Sequence, residues 1–348
     1  MIGSNPGSSG LGPAARLPLA LTMGEPAGIS AEISLKAWME LRQSGLAFFF
    51  VGSSVHIERA ARALRVETPI AKISAPAEAL SVFSHALPVI DIDVAAETIS
   101  GQPSRKTAGS VIESIRTCVE FVRSGHAAAL VTNPIQKAVL QEAGFAHPGH
   151  TEFLQELAGP GYRSTMMLVG HDLRVVPVTV HQSLRTAISQ LTTEMIVSTA
   201  LDTASALASD FGLSAPRLAI AGLNPHAGEG GMMGNEETEI IEPAIRELCK
   251  AGLTVAGPMP PDTMFTCRAR SSYDAAICMY HDQALIPLKT LDMDGGVNVT
   301  VGLPFVRTSP DHGTALDIAG KGVAEPGSLM AALRLAAEIA DRRRKDSR

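Results

Sequence analysis

A series of short, unbroken apolar stretches restricts this chain more than any other feature. They include Leu17 to Gly24 ("LPLALTMG"), Ala47 to Gly52 ("AFFFVG"), a run around Val89 ("ALPVIDID"), Ala127 to Pro134 ("AAALVTNP") and Asp274 to Tyr280 ("DAAICMY"). Segments of helical spacing lie between them: "AEISLKAWMELRQSG" after the first, one starting near Ser54, and one from Ala108 to Ser124. A strand with no polar alternation is buried on both faces. Strand after helix after strand therefore predicts an α/β fold with a mainly parallel sheet flanked by helices. The middle of the chain differs. "TMMLVG" and "LRVVPVTVH" are close enough to form a hairpin, and a helical region from Ser183 to Gly212 follows. Strand Arg217 to Leu223, helix Asn235 to Ala251, one strand over Val297 to Val306 and a final amphipathic helix complete the pattern.

A chain of 348 residues exceeds one small core, so two domains or one large α/β unit are expected. Its composition, 45% hydrophobic and 18% charged, is that of a globular protein. The net charge of -6 argues against nucleic acid as a partner. No apolar run approaches the length of a bilayer span. Cys118, Cys249, Cys267 and Cys278 show no CxxC spacing, so neither a zinc ribbon nor a disulfide framework is indicated, which suits a reducing cytoplasm. Residues 1–16 are rich in Gly, Ser and Pro without an apolar core segment, and read as a flexible leader rather than a signal peptide.

Candidate functional residues gather just past strand ends: Glu25, Asn133, His181, His226 and His281. In open α/β sheets ligands bind at that edge. Three of these are histidines, each closing an apolar strand. Imidazole suits zinc, cobalt, manganese or iron, and three histidines with an open position make a catalytic metal site. The same residues also read as polar caps on buried strands. Asp262 and Asp282 are carboxylates near His226 and His281, suited to orienting a ligand or gripping a substrate amine; Asp282 also reads as a turn residue.

"GHTEFLQELAG" opens a helix at Gly149, His150 and Thr151, whose free N–H groups suit an anion. Lys289, Asn298 and Arg307 add two cations and an amide for a phosphate or carboxylate. No GxGxxG follows the first strand, since "GEPAGIS" has only Gly24 and Gly28. A second glycine-rich segment, residues 311–322, would let a backbone approach a flat ligand, and Asp317 would accept hydrogen bonds from a ribose. It reads equally as a plain turn before a helix.

Taken together, "TMGEPAGISAEI", "TNPIQKAVLQEAG", "GHTEFL", "LNPHAGEGG", "YHDQ" and "GVNVTVGLPFVRTSPDHGTALDIAGKG" resemble the 4-hydroxythreonine-4-phosphate dehydrogenase family of vitamin B6 biosynthesis, from about Leu17 to Leu335. The resemblance implies the two-domain fold of isocitrate and isopropylmalate dehydrogenases. Residues 17–137 with 298–348 would form one domain, residues 138–297 the other, with the active site in the cleft. It implies a homodimer with active sites at the subunit interface. It also implies one divalent metal (Zn, Mg, Co or Mn) on His181, His226 and His281. Substrate would be bound by His150, Thr151, Lys289, Asn298 and Arg307, with Asp262 and Asp282 near the substrate amino group and counted as catalytic candidates. NAD or NADP would lie on Gly313, Thr314, Ala315 and Asp317. The implied reaction is oxidation of 4-phosphooxy-L-threonine followed by decarboxylation.

The chain departs from the family pattern at Ser30 and Ala31, where glycine and proline are common, at Met232, where histidine is usual, and at Ala284, where glycine is usual. None is an implied ligand. Met232 leaves open a sister activity on 4-phosphothreonate or 4-phosphoerythronate. Two other classes share some of these residues. A metal-dependent hydrolase would release phosphate without NAD, and a non-catalytic NAD- or metabolite-binding protein would show affinity without turnover.

Overall fold

A computed structural model describes residues 17–346 apart from 95 and 148; the leader read over residues 1–16 lies outside the described residues. The strands are β1 Leu19–Thr22, β2 Phe48–Gly52, β3 Ile70–Lys72, β4 Leu87–Asp91, β5 Leu130–Val131, β6 Thr165–Gly170, β7 Leu173–Thr179, β8 Arg217–Ala221, β9 Thr254–Met259, β10 Ala275–Tyr280, β11 Val297–Val301 and β12 Arg307–Pro310. The helices are α1 Ser30–Leu41, α2 Ser54–Leu64, α3 Ala79–Val82, α4 Ala108–Arg123, α5 Lys137–Glu142, α6 His150–Ala158, α7 Leu184–Gln190, α8 Thr193–Ser209, α9 Glu242–Lys250, α10 Pro261–Met264, α11 Cys267–Arg270, α12 His281–Leu291 and α13 Gly327–Asp346.

All twelve strands form one sheet, in the order β3-β4-β2-β1-β5-β12-β11-β6-β7-β10-β8-β9. Pairing is parallel from β3 to β12 and again from β7 to β9. Three antiparallel pairings, β12–β11, β11–β6 and β6–β7, lie between the two arrays. The expected α/β class with a mainly parallel sheet is thus the class observed. An odd number of reversals also means that the strands of the two arrays run in opposite senses. The strand ends carrying Asn133 and His181 therefore do not share one sheet edge, contrary to the expectation from sequence. What joins them is the central antiparallel section.

The parallel arrays are apolar because helices cover them. Phe48, Phe49 and Phe50 are wholly buried, as are Leu19, Ala20 and Leu21. Helices α4 and α13 pack on β1, β5 and β12, while α8 and α12 pack on β7 and β10. Trp38 of α1 fills the same core and donates from Nε1 to the Phe83 carbonyl at 2.8 Å.

Three expectations on elements need correction. The run Val297 to Val306 is not one strand: β11 ends at Val301, Gly302 takes φ +85°, and the chain returns as β12. The helical region from Ser183 to Gly212 is two helices, because Leu191 and Thr192 are extended and the Thr192 side chain caps α8 through the Met195 N–H. The helix expected over Asn235 to Ala251 opens with a π-turn at Glu237–Ile241 before α9.

Candidate active site

The central antiparallel section is where polar residues enter the sheet. In β11 the sequence Val297-Asn298-Val299-Thr300-Val301 alternates, so one face is apolar and the other polar. Asn298 pairs with Ser309 and Thr300 with Arg307 across β12, and Thr300 with Met166 across β6. Residues directly opposite share a face, so Asn298, Thr300, Arg307, Ser309 and Met166 line up together. Over this face lies a cavity of about 330 Å³. Its walls include Asn133 after β5, His150 and Thr151 at the start of α6, His181 after β7, Lys289 of α12, and His312 and Gly313.

The cavity gathers positive charge from Arg307 and Lys289. Arg307 is only 3% exposed, and its guanidinium meets hydroxyls rather than carboxylates: Nη2 and Nε donate to Thr132 Oγ1 at 2.7 and 3.2 Å, and Nη1 to Thr300 Oγ1 at 2.8 Å. Burial pushes its pKa down to about 10, so it stays charged at neutral pH. A buried cation without a counter-charge is costly and implies a ligand that brings one. Lys289 is partly neutralised, donating to the Asp311 carbonyl at 3.1 Å with Asp311 Oδ2 3.3 Å away. Burial raises the Asp311 pKa, and Lys289 offsets part of that rise. The His150 imidazole is held well below its usual range, first by burial and then by Arg307 and Lys137, and is neutral.

Four buried polar atoms on the walls have no protein hydrogen-bond partner: Asn133 Oδ1, His150 Nε2, Asn298 Oδ1 and His312 Nε2. Buried polar groups are normally satisfied. Four orphans in one cavity mark it as a site for a polar ligand. The remaining Asn133 amide is committed to the scaffold, with Nδ2 donating to the Thr22 carbonyl at 2.9 Å and to Ser34 Oγ at 3.0 Å. A Cβ at Gly24 would lie 2.6 Å from Asn133 Cβ, which is why glycine stands there.

Strands β7 and β10 are neighbours, so His181 and His281 meet, with ring centroids 5.8 Å apart. His281 Nδ1 lies 2.8 Å from Asp282 Oδ1. His181 has a pKa lowered by partial burial and then by Lys137 and His281. The third histidine stands apart. His226 sits in a left-handed turn, residues 226–230 all having positive φ, with its side chain 60% exposed and Nδ1 3.0 Å from Glu229 Oε2. Glu229, and more weakly Asp262, raise its pKa. Among the described residues no group of three or more His, Cys, Asp or Glu is disposed to hold a metal. One chain therefore brings together two of the three expected ligands and leaves out His226 with its neighbour Asp262.

Residues 313–317 run beside the cavity. The segment is stapled to α1: the Ile29 N–H donates to the Thr314 carbonyl at 3.1 Å, and the Ala324 N–H to Glu32 Oε1 at 2.9 Å. Lys36 Nζ donates to the Gly322 and Ala324 carbonyls. Ala315 has φ +44°, Asp317 is exposed, and the space at Gly313 is open. Sequence reasoning passed over Lys137, His312 and Glu32. Glu32 had a legible signal, an acidic residue inside an otherwise apolar helix start, whereas Lys137 and His312 looked like ordinary loop or helix-end residues.

Fold and cavity together define an α/β protein whose central sheet face carries a polar, cationic cavity beside a pair of imidazoles. The family model described as pyridoxal phosphate biosynthetic protein PdxA matches residues 45–336, and the chain belongs to that family. A protein of Bradyrhizobium diazoefficiens named 4-hydroxythreonine-4-phosphate dehydrogenase is 54% identical over 335 residues, covering 93% of this chain and 97% of its own length. One of the same name from Caulobacter vibrioides is 52% identical over 331 residues, covering 94% and 98%. The crystal structure of 4-hydroxythreonine-4-phosphate dehydrogenase from Klebsiella pneumoniae superposes with a TM-score of 0.83 at 36% identity, covering 94% of this chain and 99% of that one.

Proposed function

We propose that this chain is an NAD(P)- and divalent-metal-dependent dehydrogenase of 4-phosphooxy-L-threonine. The product, 2-amino-3-oxo-4-phosphooxybutanoate, loses carbon dioxide to give 3-amino-2-oxopropyl phosphate, in pyridoxine 5'-phosphate (vitamin B6) biosynthesis. The observation that carries this reading is the buried Arg307, without a carboxylate partner, in a cavity with four orphaned polar atoms beside His181 and His281. The names of the relatives supply the substrate.

In this reading Arg307, Lys289 and the N–H groups at the start of α6 around Thr151 hold the phosphate, and His150 and Asn298 orient it. Binding energy far from the reacting carbon then positions that carbon. The imidazoles of His181 and His281, side by side at a polar cavity, fit a borderline divalent ion such as zinc, cobalt or manganese. His226 does not stand with them in the single chain. That only two of three imidazoles meet is what supports a homodimer with its active sites at the interface. His181 and His281 would hold the metal, which would supply Lewis acidity, and residues 313–317 would hold the nicotinamide nucleotide, which would supply the hydride acceptor. Asp282 holds the His281 ring in one orientation, and Asp262 with Asp282 would face the substrate amino group. Residues 313–317, with Gly313, Thr314, Ala315 and Asp317, would receive the nucleotide. We take residues 17–137 with 298–348 as one domain and 138–297 as the other; the cavity takes Asn298 and Arg307 from the first and His150 and His181 from the second. Free cysteines throughout support a cytoplasmic setting.

A second reading keeps the chemistry and changes the acid. Met232, 82% exposed, stands where the family usually has histidine, which leaves 4-phosphothreonate or 4-phosphoerythronate open as alternatives. NADH absorbance with metal-loaded protein and each of the three phosphorylated acids separates them. Fast turnover of 4-phosphooxy-L-threonine alone is the expected result. Preference for another acid moves the chain to a sister activity, and phosphate release without NADH sinks the dehydrogenase reading.

A further inference from the structure

The motif "TNPIQKAVLQEAG" contributes Asn133 to the cavity, but its lysine has no role in the account above. Lys137 is the first residue of α5, is exposed, and lines the same cavity as Arg307 and His150. It makes no ion pair or hydrogen bond with any described residue. Its chain lies over Gly149, the residue before α6. A Cβ built on Gly149 would be 3.3 Å from Lys137 Cε and 3.5 Å from Nζ. The same Cβ position is 3.3 Å from Glu152 Oε2, so a carboxylate is near, yet the two side chains form no ion pair.

This placement is unfavourable for the protein alone. The N-terminus of α6 carries partial positive charge and free N–H groups, and repels a cation. An ammonium beside it, with a buried guanidinium in the same cavity, raises the cost further. An anion between these groups would meet all of them at once, which Glu152, forming no ion pair with Lys137, does not. His150 lies in the same field, its pKa lowered first by burial and then by Arg307 and Lys137. Asn133, wholly buried with Oδ1 unpartnered, is a further polar group on the same wall.

We propose that Lys137 is a further substrate-binding residue, whose ammonium shares the phosphoryl group of the substrate with Arg307 at the start of α6. This rests on the reading of the cavity as the phosphate site. It makes Lys137 a group that sets affinity for a dianionic phosphate, as distinct from a monoanionic carboxylate.

The test is calorimetric titration of inorganic phosphate into the full chain, wild type against Lys137→Met, Lys137→Arg and Asn298→Ala. A charge-assisted contact corresponds to roughly ten- to hundredfold in affinity. Lys137→Met is expected to weaken phosphate binding at least about tenfold, with the ligand-free melting temperature unchanged or slightly raised, and Lys137→Arg to retain most of the affinity. With the phosphorylated substrate the loss is expected in KM, with kcat largely kept. If wild type and Lys137→Met bind phosphate equally while Asn298→Ala is weakened, the cavity reading stands and the assignment of Lys137 is wrong. If the wild type binds no phosphate, the cavity reading fails and Lys137 falls with it.

Discussion

His281 Nδ1 lies 2.8 Å from Oδ1 of Asp282, its immediate neighbour, where β10 turns into α12. An ionised carboxylate only accepts, so Nδ1 carries the proton and the lone pair of Nε2 is left for a ligand. One bond thereby fixes both the tautomer and the ring orientation of the imidazole that faces His181. Partners of this kind usually matter about as much as the ligands they support.

Asp282→Ala is therefore expected to lower metal affinity by about 10–100-fold, measured by zinc or cobalt titration of the apoprotein. Folding stability should hold, because the Asp282 side chain is 72% exposed. Unchanged metal affinity in this variant would remove Asp282 from the site.

A pH effect on stability is expected from a residue outside the cavity. His56 Nδ1 lies 2.8 Å from Thr98 Oγ1, and burial, then Arg59, pushes its pKa from 6.5 to about 4. The folded state binds this proton more weakly than the unfolded chain does. Above the unfolded value the contribution is fully present. It is lost as pH falls through the window between the two values, reaching about 3 kcal/mol. Denaturant titrations of wild type and His56→Gln across that window check this. The expected outcome is a wild-type slope steeper than that of the variant, and parallel curves would count against it.

Gly28 is held by contact, not by backbone conformation. A Cβ there would lie 2.7 Å from the Thr314 carbonyl oxygen. Gly28→Ala is expected to push residues 313–317 away from α1 at a cost of about 1–3 kcal/mol. It should also raise the dissociation constant for the nicotinamide nucleotide. Lower stability with unchanged nucleotide affinity would take that segment out of the cofactor site.

Much of the frame was legible because burial on both faces leaves an unmistakable mark. The runs at Phe48–Gly52 and Ala275–Tyr280 have no polar alternation, and both are inner strands. The strands that escaped notice, Ile70–Lys72 and Thr254–Met259, are the two edges of the sheet, half-buried and short of apolar residues. The turn at Gly302 was hidden for the opposite reason. The chain stays buried through Leu303, Phe305 and Val306, so the apolar signal does not stop where the strand does.

Of the residues read from sequence as candidates, His150, Thr151, Lys289, Asn298 and Arg307 all line one cavity. Sequence by itself determined which side chains carry charge or a ligand nitrogen, and which strands would be buried deeply enough to hold them rigidly. It did not determine which of them meet. His181 joins His281 because β7 pairs with β10, a contact between residues about a hundred positions apart, whereas His226 turns outward to Glu229 despite an equivalent place after β8. The reversal of strand sense through β12, β11, β6 and β7 carries Arg307 and Asn298 to one polar face, and no local pattern encodes it. Local spacing records burial and periodicity, which act over a few residues. Convergence depends on pairing and loop conformation across the whole chain, and only the tertiary structure settles those.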